Sequence, residues 1–163
     1  MSNFGSDNGA GAHPKIVEAL MAASTGSVPA YGNDELTLRV EHQLAELFER
    51  GITVLLMATG TAANCVGLAT LCSPFGGIYA HSEAHIVNDE STAPEFFTNG
   101  ARQFSVGGVS AKPDLDELKR VIEVSGARDV HSVQPSVIAL SNLTELGGRF
   151  SNDEILAYGD LAK

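Results

Sequence analysis

From Thr53 onward, short apolar runs alternate with stretches of helical period, and this alternation restricts the chain to few architectures. Thr53–Ala58, Gly77–Ala80, Gln103–Val106 and Ser136–Ser141 read as strands. Thr61–Leu71, Asp114–Val124 and Asn152–Ala162 read as helices, the last entered through the cap residue Ser151. Strands separated by helices predict a three-layer α/β fold, with a mostly parallel sheet covered on both faces. The final helix has no strand after it to complete its crossover, so a truncated version of such a fold is expected.

The first third of the chain reads differently. A Gly-rich arm, Ser2 to Ala12, leads into Pro14, which suits the first turn of a helix running to about Ser24. The loop Gly26 to Asp34 carries Pro29, Tyr31 and Gly32, and a second helix then places Leu36, Val40, Leu44, Leu47 and Phe48 on one face. The expected division is residues 1–34 for the arm, first helix and loop, and 35–163 for a partial α/β domain.

With 163 residues, 44% of them apolar, the chain can bury one sizeable core. Its net charge of −10, from 20 acidic against 10 basic residues, argues against nucleic acid or an anionic membrane as partner and leaves small metabolites. The N-terminus shows no basic-plus-apolar leader, and the longest strongly apolar run, Ile52 to Ala58, is too short to span a bilayer. A cytoplasmic protein is expected. Cys65 and Cys72 lack the spacing of a redox or zinc pair and read as reduced, buried hydrophobes.

Two segments can carry chemistry. Met57-Ala58-Thr59-Gly60-Thr61-Ala62-Ala63-Asn64 joins an apolar run to a helix. A turn of this kind aims backbone N–H groups and the positive end of a helix at one spot, where a phosphate would sit, and the Thr hydroxyls add donors. By local pattern alone, an ordinary strand-to-helix turn with a Thr cap is the favoured reading. The second segment, Ala80 to Glu90, gathers His81, Glu83, His85, Asp89 and Glu90 just past a strand, where parallel sheets place their ligands. His81 and His85 would share a face only in a helix, which the pattern does not suggest, so no metal site is expected. His85 reads either as a ring stacked on a flat cofactor or as part of a polar loop. Ser6-Asp7-Asn8, His13 and Tyr31-Gly32-Asn33-Asp34 read locally as turn and cap residues.

Taken in order, several motifs resemble the threonine aldolase family of pyridoxal-phosphate enzymes, within the aspartate-aminotransferase-like fold type I. They are Phe4-Gly5-Ser6-Asp7-Asn8, Gly11-Ala12-His13-Pro14, Pro29-Ala30-Tyr31-Gly32-Asn33-Asp34, Ala58-Thr59-Gly60-Thr61-Ala62-Ala63-Asn64, Glu83-Ala84-His85-Ile86, Ala93-Pro94-Glu95-Phe96-Phe97-Thr98 and Asp129-Val130-His131-Ser132-Val133-Gln134-Pro135. The resemblance covers nearly the whole chain and makes residues 35–163 part of a cofactor-binding large domain. It implies that Thr59, Gly60, Thr61 and Asn64 hold the phosphate of pyridoxal 5'-phosphate, and that His85 stacks on its ring and takes part in catalysis. Ser6 would bind the substrate carboxylate, and Tyr31 would lie near phosphate or substrate.

The implied reaction is cleavage of a β-hydroxy amino acid such as threonine to glycine and an aldehyde. The implied assembly is a homodimer or homotetramer. In the family, the Schiff-base lysine, the Asp paired with the ring nitrogen and the carboxylate-binding arginines come from segments with no counterpart here. Lys15, Lys112, Lys119 and Lys163 stand in unrelated contexts. A histidine used by one branch of the family is replaced by the stretch Asn142-Leu143-Thr144-Glu145. The proton-accepting group is then Glu90 or a phosphate-bound water. The isolated chain is expected to be inactive, and the alternatives are a β-eliminating lyase or aminotransferase relative, or a non-catalytic fragment.

Overall fold

The computed structural model describes residues 9–126 and 129–163. The backbone forms two compact units, one ending at Leu55 and one running from Leu56 to Lys163. In the first unit, α1 (Pro14–Ala23) is entered through His13, whose imidazole accepts the Lys15 N–H. Helix α2 (Glu35–Leu47) is capped by Asp34, which accepts the N–H groups of Leu36 and Thr37 at 3.0 Å. These polar residues are caps, as a short side-chain acceptor before a helix should be. Neither helix buries a residue.

In the second unit the elements follow as α3 (Gly60–Leu71), β1 (Gly76–His81), α4 (His85–Asn88), α5 (Ala93–Phe97), β2 (Arg102–Val106), α6 (Leu115–Val124), β3 (Gln134–Ile138) and α7 (Asn152–Leu161). The three strands form a parallel sheet in the order β2-β1-β3. Central β1 is buried along its whole length, and its side chains alternate between two cores. Ile78 and Ala80 pack with Leu68 of α3, with Cys72 just past its end, and with Ala84, Ile86 and Ala101. Tyr79 faces the other way, joining Val106, Leu118, Phe150 and Tyr158 beneath α6 and α7. The predicted α/β architecture is therefore present as helix, sheet and helix layers.

Two predicted strands change. Residues 52–57 are irregular rather than a strand, with Leu55 and Leu56 exposed. A strand exists only with a neighbour to complete its ladder, and both edges of β1 are taken by β2 and β3. The predicted strand from Ser136 begins instead at Gln134 and ends at Ile138. Its pairing with β1 starts at Gly76 opposite Gln134 and continues with Gly77 opposite Pro135, after which the register skips Ser136. A strand lying on one side of the sheet accommodates a residue with no N–H to donate. The segment after β1 also contains a single helical turn, α4, that its residue pattern did not suggest. Among the described residues, no helix is long and apolar enough to cross a membrane.

Candidate cofactor site

In an open parallel sheet, ligands bind beyond the carboxyl ends of strands, where successive connections leave in opposite directions. The order β2-β1-β3 puts that point between β1 and β3, because the chain leaves β1 toward β2 and returns on the other side. The segments past these two strands do meet. The backbone N–H of His85, opening α4 after β1, donates to Glu145 Oε1 at 2.9 Å, and Glu145 follows β3. Ala84, the cap residue of α4, has no side-chain acceptor of its own, so a carboxylate 60 positions away does the capping.

The loop that presents Glu145 is fixed from below by Thr144. Its buried hydroxyl donates to the Ser110 carbonyl and accepts the Gly148 N–H, both at 2.7 Å. In the sequence, Glu145 stands only within the stretch that departs from the family motif. Its contact with His85 spans the fold and has no local signature.

His85 is held at one edge of its ring. Nδ1 lies 2.8 Å from Glu90 Oε1, while 53% of the side chain stays exposed. Glu90 is the reverse, with its side chain wholly shut off from solvent. The same Oε1 accepts from Asn64 Nδ2 at 2.7 Å. The structure thus brings together three residues singled out in the sequence, and the link runs from α3 through Glu90 to α4.

Asn64 lies four residues into α3, so at 1.5 Å per residue the helix N-terminus is about 6 Å away along the axis. Thr59 caps that terminus, its Oγ1 accepting the Ala62 N–H at 3.1 Å. The N–H groups of Gly60 and Thr61 come too early in the helix to find an acceptor within it. A Cβ built on Gly60 would meet nothing within 4 Å, and its backbone is outside the left-handed region. Neither packing nor conformation therefore calls for glycine there, whereas close approach of a ligand to the backbone would.

Other predicted residues stand elsewhere. His81 is buried at the end of β1 on the opposite side of the strand from Ala80, its Nδ1 accepting the Glu83 N–H at 3.0 Å. It does not join His85. No cluster of three potential metal ligands occurs among the described residues. Tyr31 belongs to the first unit, fully exposed at φ +64°. Ser6 lies outside the described residues. Cys65 and Cys72 are free and buried. Burial first, then the charges of Glu90 and Glu95, pushes the Cys65 thiol up, which keeps it protonated and a poor nucleophile.

The residues present suit two parts of pyridoxal phosphate. Free N–H groups over an open Gly60 match its phosphate, and an edge-anchored, half-exposed imidazole matches its ring. Among the described lysines of the second unit, none is placed at the site. Lys112 pairs with Glu154, Lys119 with Asp116 and Lys163 with Asp160, and Lys15 lies in the first unit.

A sheet wound outward from a central strand, with a capped helix terminus and an anchored ring near its switch point, defines the core of a fold type I large domain. A solved threonine aldolase from Leishmania major superposes on 94% of this chain with a TM-score of 0.84, at 22% identity and over 45% of its own length. The chain belongs to the beta-eliminating lyase family, which matches residues 3–163. Low specificity L-threonine aldolases from Pseudomonas aeruginosa and from another Pseudomonas strain are 35% and 32% identical across 98% of the chain. The chain spans 46% of the length of these curated relatives.

Proposed function

We propose that this chain supplies the phosphate- and ring-binding part of a pyridoxal-phosphate-dependent carbon–carbon lyase acting on β-hydroxy amino acids such as threonine, with glycine and an aldehyde as products. The observation that carries this reading is the link from α3 to α4, which joins an open, phosphate-ready helix terminus to an exposed, edge-anchored histidine. Similarity to the two Pseudomonas aldolases supports the choice of reaction. When bound, the cofactor supplies an electron sink for the broken Cα–Cβ bond.

In this reading the N–H groups of Gly60 and Thr61 and the Thr59 hydroxyl hold the phosphate, and His85 covers one face of the ring. Asn64 supports His85 through Glu90. The substrate-side roles of Ser6 and Tyr31, and a homodimeric or homotetrameric assembly, rest on the motif resemblance alone. The 163-residue chain by itself is expected to turn over no substrate, because the family's Schiff-base lysine has no counterpart among its motifs and Lys112, Lys119 and Lys163 are each paired with a carboxylate.

Equilibrium dialysis tests the cofactor reading. Wild-type chain should retain pyridoxal phosphate over pyridoxal, His85→Ala should retain it less, and Gly60→Asp, which sets a negative charge at the helix terminus, should lose the preference. Equal binding of the phosphorylated and unphosphorylated forms would overturn the reading. Borohydride treatment followed by intact mass checks the inactivity. A single-site lysine adduct together with acetaldehyde release from threonine would refute it, and release of pyruvate and ammonia from serine would point to β-elimination instead.

A second reading, a chain that works only when paired with another, is favoured by its exposed apolar side chains. Leu55, Leu56, Ile155 and Leu156 face solvent on the last predicted helix and on the segment that found no sheet partner. Self-association of the purified chain in sedimentation, lost on changing Leu156 and Ile155 to polar residues, would support it.

A further inference from the structure

Glu90 is a candidate base by residue type, yet its carboxylate has no exposed surface and both of its contacts run through one oxygen. We propose that Glu90 is a positioning residue: it fixes the proton of His85 on Nδ1 and sets the plane of the ring relative to α3, so that the imidazole presents a fixed face to a flat ligand.

The Asn64 Nδ2 group only donates, so Glu90 Oε1 accepts there. As a carboxylate oxygen, Oε1 has a further lone pair and in this proposal accepts from His85 as well, which puts the imidazole proton on Nδ1 and leaves Nε2 without one. The ring is then pinned by two constraints, Nδ1 at its edge and the Glu145 carboxylate on the backbone N–H of the same residue.

Asn64 makes the arrangement a relay of position. Its side chain leaves α3 one turn past the phosphate-ready terminus, so the ring orientation is referenced to the same helix that would hold the phosphate. Glu90 Oε2 is buried without a partner, so the whole anchoring falls on Oε1. A pyridine ring stacked on His85 and a phosphate on Gly60 would thereby be held at a set separation. The ligand class rests on the cofactor reading above, whereas the proton placement does not.

Two-bond nitrogen–proton NMR on histidine-labelled chain, assigned with His85→Gln and followed upward in pH until the ring is neutral, reads the tautomer directly. Wild type should show His85 protonated on Nδ1. Glu90→Ala should release the proton to Nε2, and Glu90→Gln, whose amide oxygen can still accept, should restore Nδ1. Pyridoxal phosphate retention should fall roughly tenfold in Glu90→Ala, the low end of what loss of a supporting partner costs an oriented histidine, and recover in Glu90→Gln.

A wild-type His85 protonated on Nε2 would overturn the proposal whether or not the variants fold. So would a tautomer unchanged in a folded Glu90→Ala. An Nδ1 tautomer in a wild-type chain that does not retain pyridoxal phosphate would support the proton placement while refuting the cofactor reading.

Discussion

Lys112 Nζ lies 2.8 Å from Glu154 Oε1 and 3.0 Å from Oε2, tying the loop before α6 to the first turn of α7. The same carboxylate accepts the Ser151 N–H at 2.6 Å and so closes the capping box of α7. One side chain therefore helps cap the start of a helix and joins two segments 42 residues apart. The Lys112 contact first, and the Ser151 backbone N–H next, bring Glu154 from the usual carboxylate value of 4.5 down to about 2.

That depression fixes a pH window. A carboxyl with a lower folded value contributes stability that is fully present above its unfolded value near 4.5 and is lost as pH falls toward 2. Denaturant unfolding of the second unit should weaken across this window. Lys112→Met should flatten the dependence there without altering it near neutrality, and an unchanged slope would rule out this pair as the source.

Leu118 is wholly buried between Tyr79 and the aromatic pair Phe150 and Tyr158, whose rings meet edge to face at 5.6 Å. Leu118→Ala should cost about 2–5 kcal/mol, because rings held in contact cannot close the resulting cavity. Urea titration followed by tyrosine fluorescence would measure it, and a loss below about 1 kcal/mol would mean that the layer repacks.

The Tyr158 hydroxyl donates to the Pro113 carbonyl inside the same core. Tyr158→Phe keeps the ring contact but leaves a buried acceptor unpaired, for a loss of about 1–3 kcal/mol. Thermal unfolding of the variant beside Leu118→Ala would separate the polar contribution from the packing one.

Two glycines should respond in opposite ways. A Cβ on Gly108 would stand 1.8 Å from the Lys112 carbonyl oxygen and 2.8 Å from the Asp114 N–H nitrogen, so Gly108→Ala must move backbone and should destabilise by about 1–3 kcal/mol. Gly60→Ala meets no neighbour and should leave stability equal or higher, while lowering pyridoxal phosphate retention. Unfolding curves and dialysis on both variants distinguish a packing glycine from a ligand-facing one.

The elements legible in the sequence were those that declare themselves locally. Leu115, Leu118, Val121 and Ile122 fall at helical spacing and form α6 against the sheet. Ser151 marks the start of α7 as its cap residue, and the structure adds the reciprocal contact from Glu154. The run before Gly60 misled because an apolar, β-prone stretch looks alike whether or not a neighbouring strand exists to pair with it. Within the site, Thr59, Gly60 and His85 stood out by residue type and position. Their connection did not, since Asn64 and Glu90 are 26 positions apart and Glu145 is 60 positions from His85.

The sequence alone determined the layer order and the helix caps, because side-chain period and the orphan N–H groups of a helix start are properties of neighbouring residues. Tertiary structure decided which strands pair. It also made Glu90, one of several polar residues in the stretch after β1, a buried partner of His85, and it brought Glu145 across the crevice to cap α4. Those outcomes depend on which segments meet in space, and contacts between distant segments leave no spacing in the chain to read.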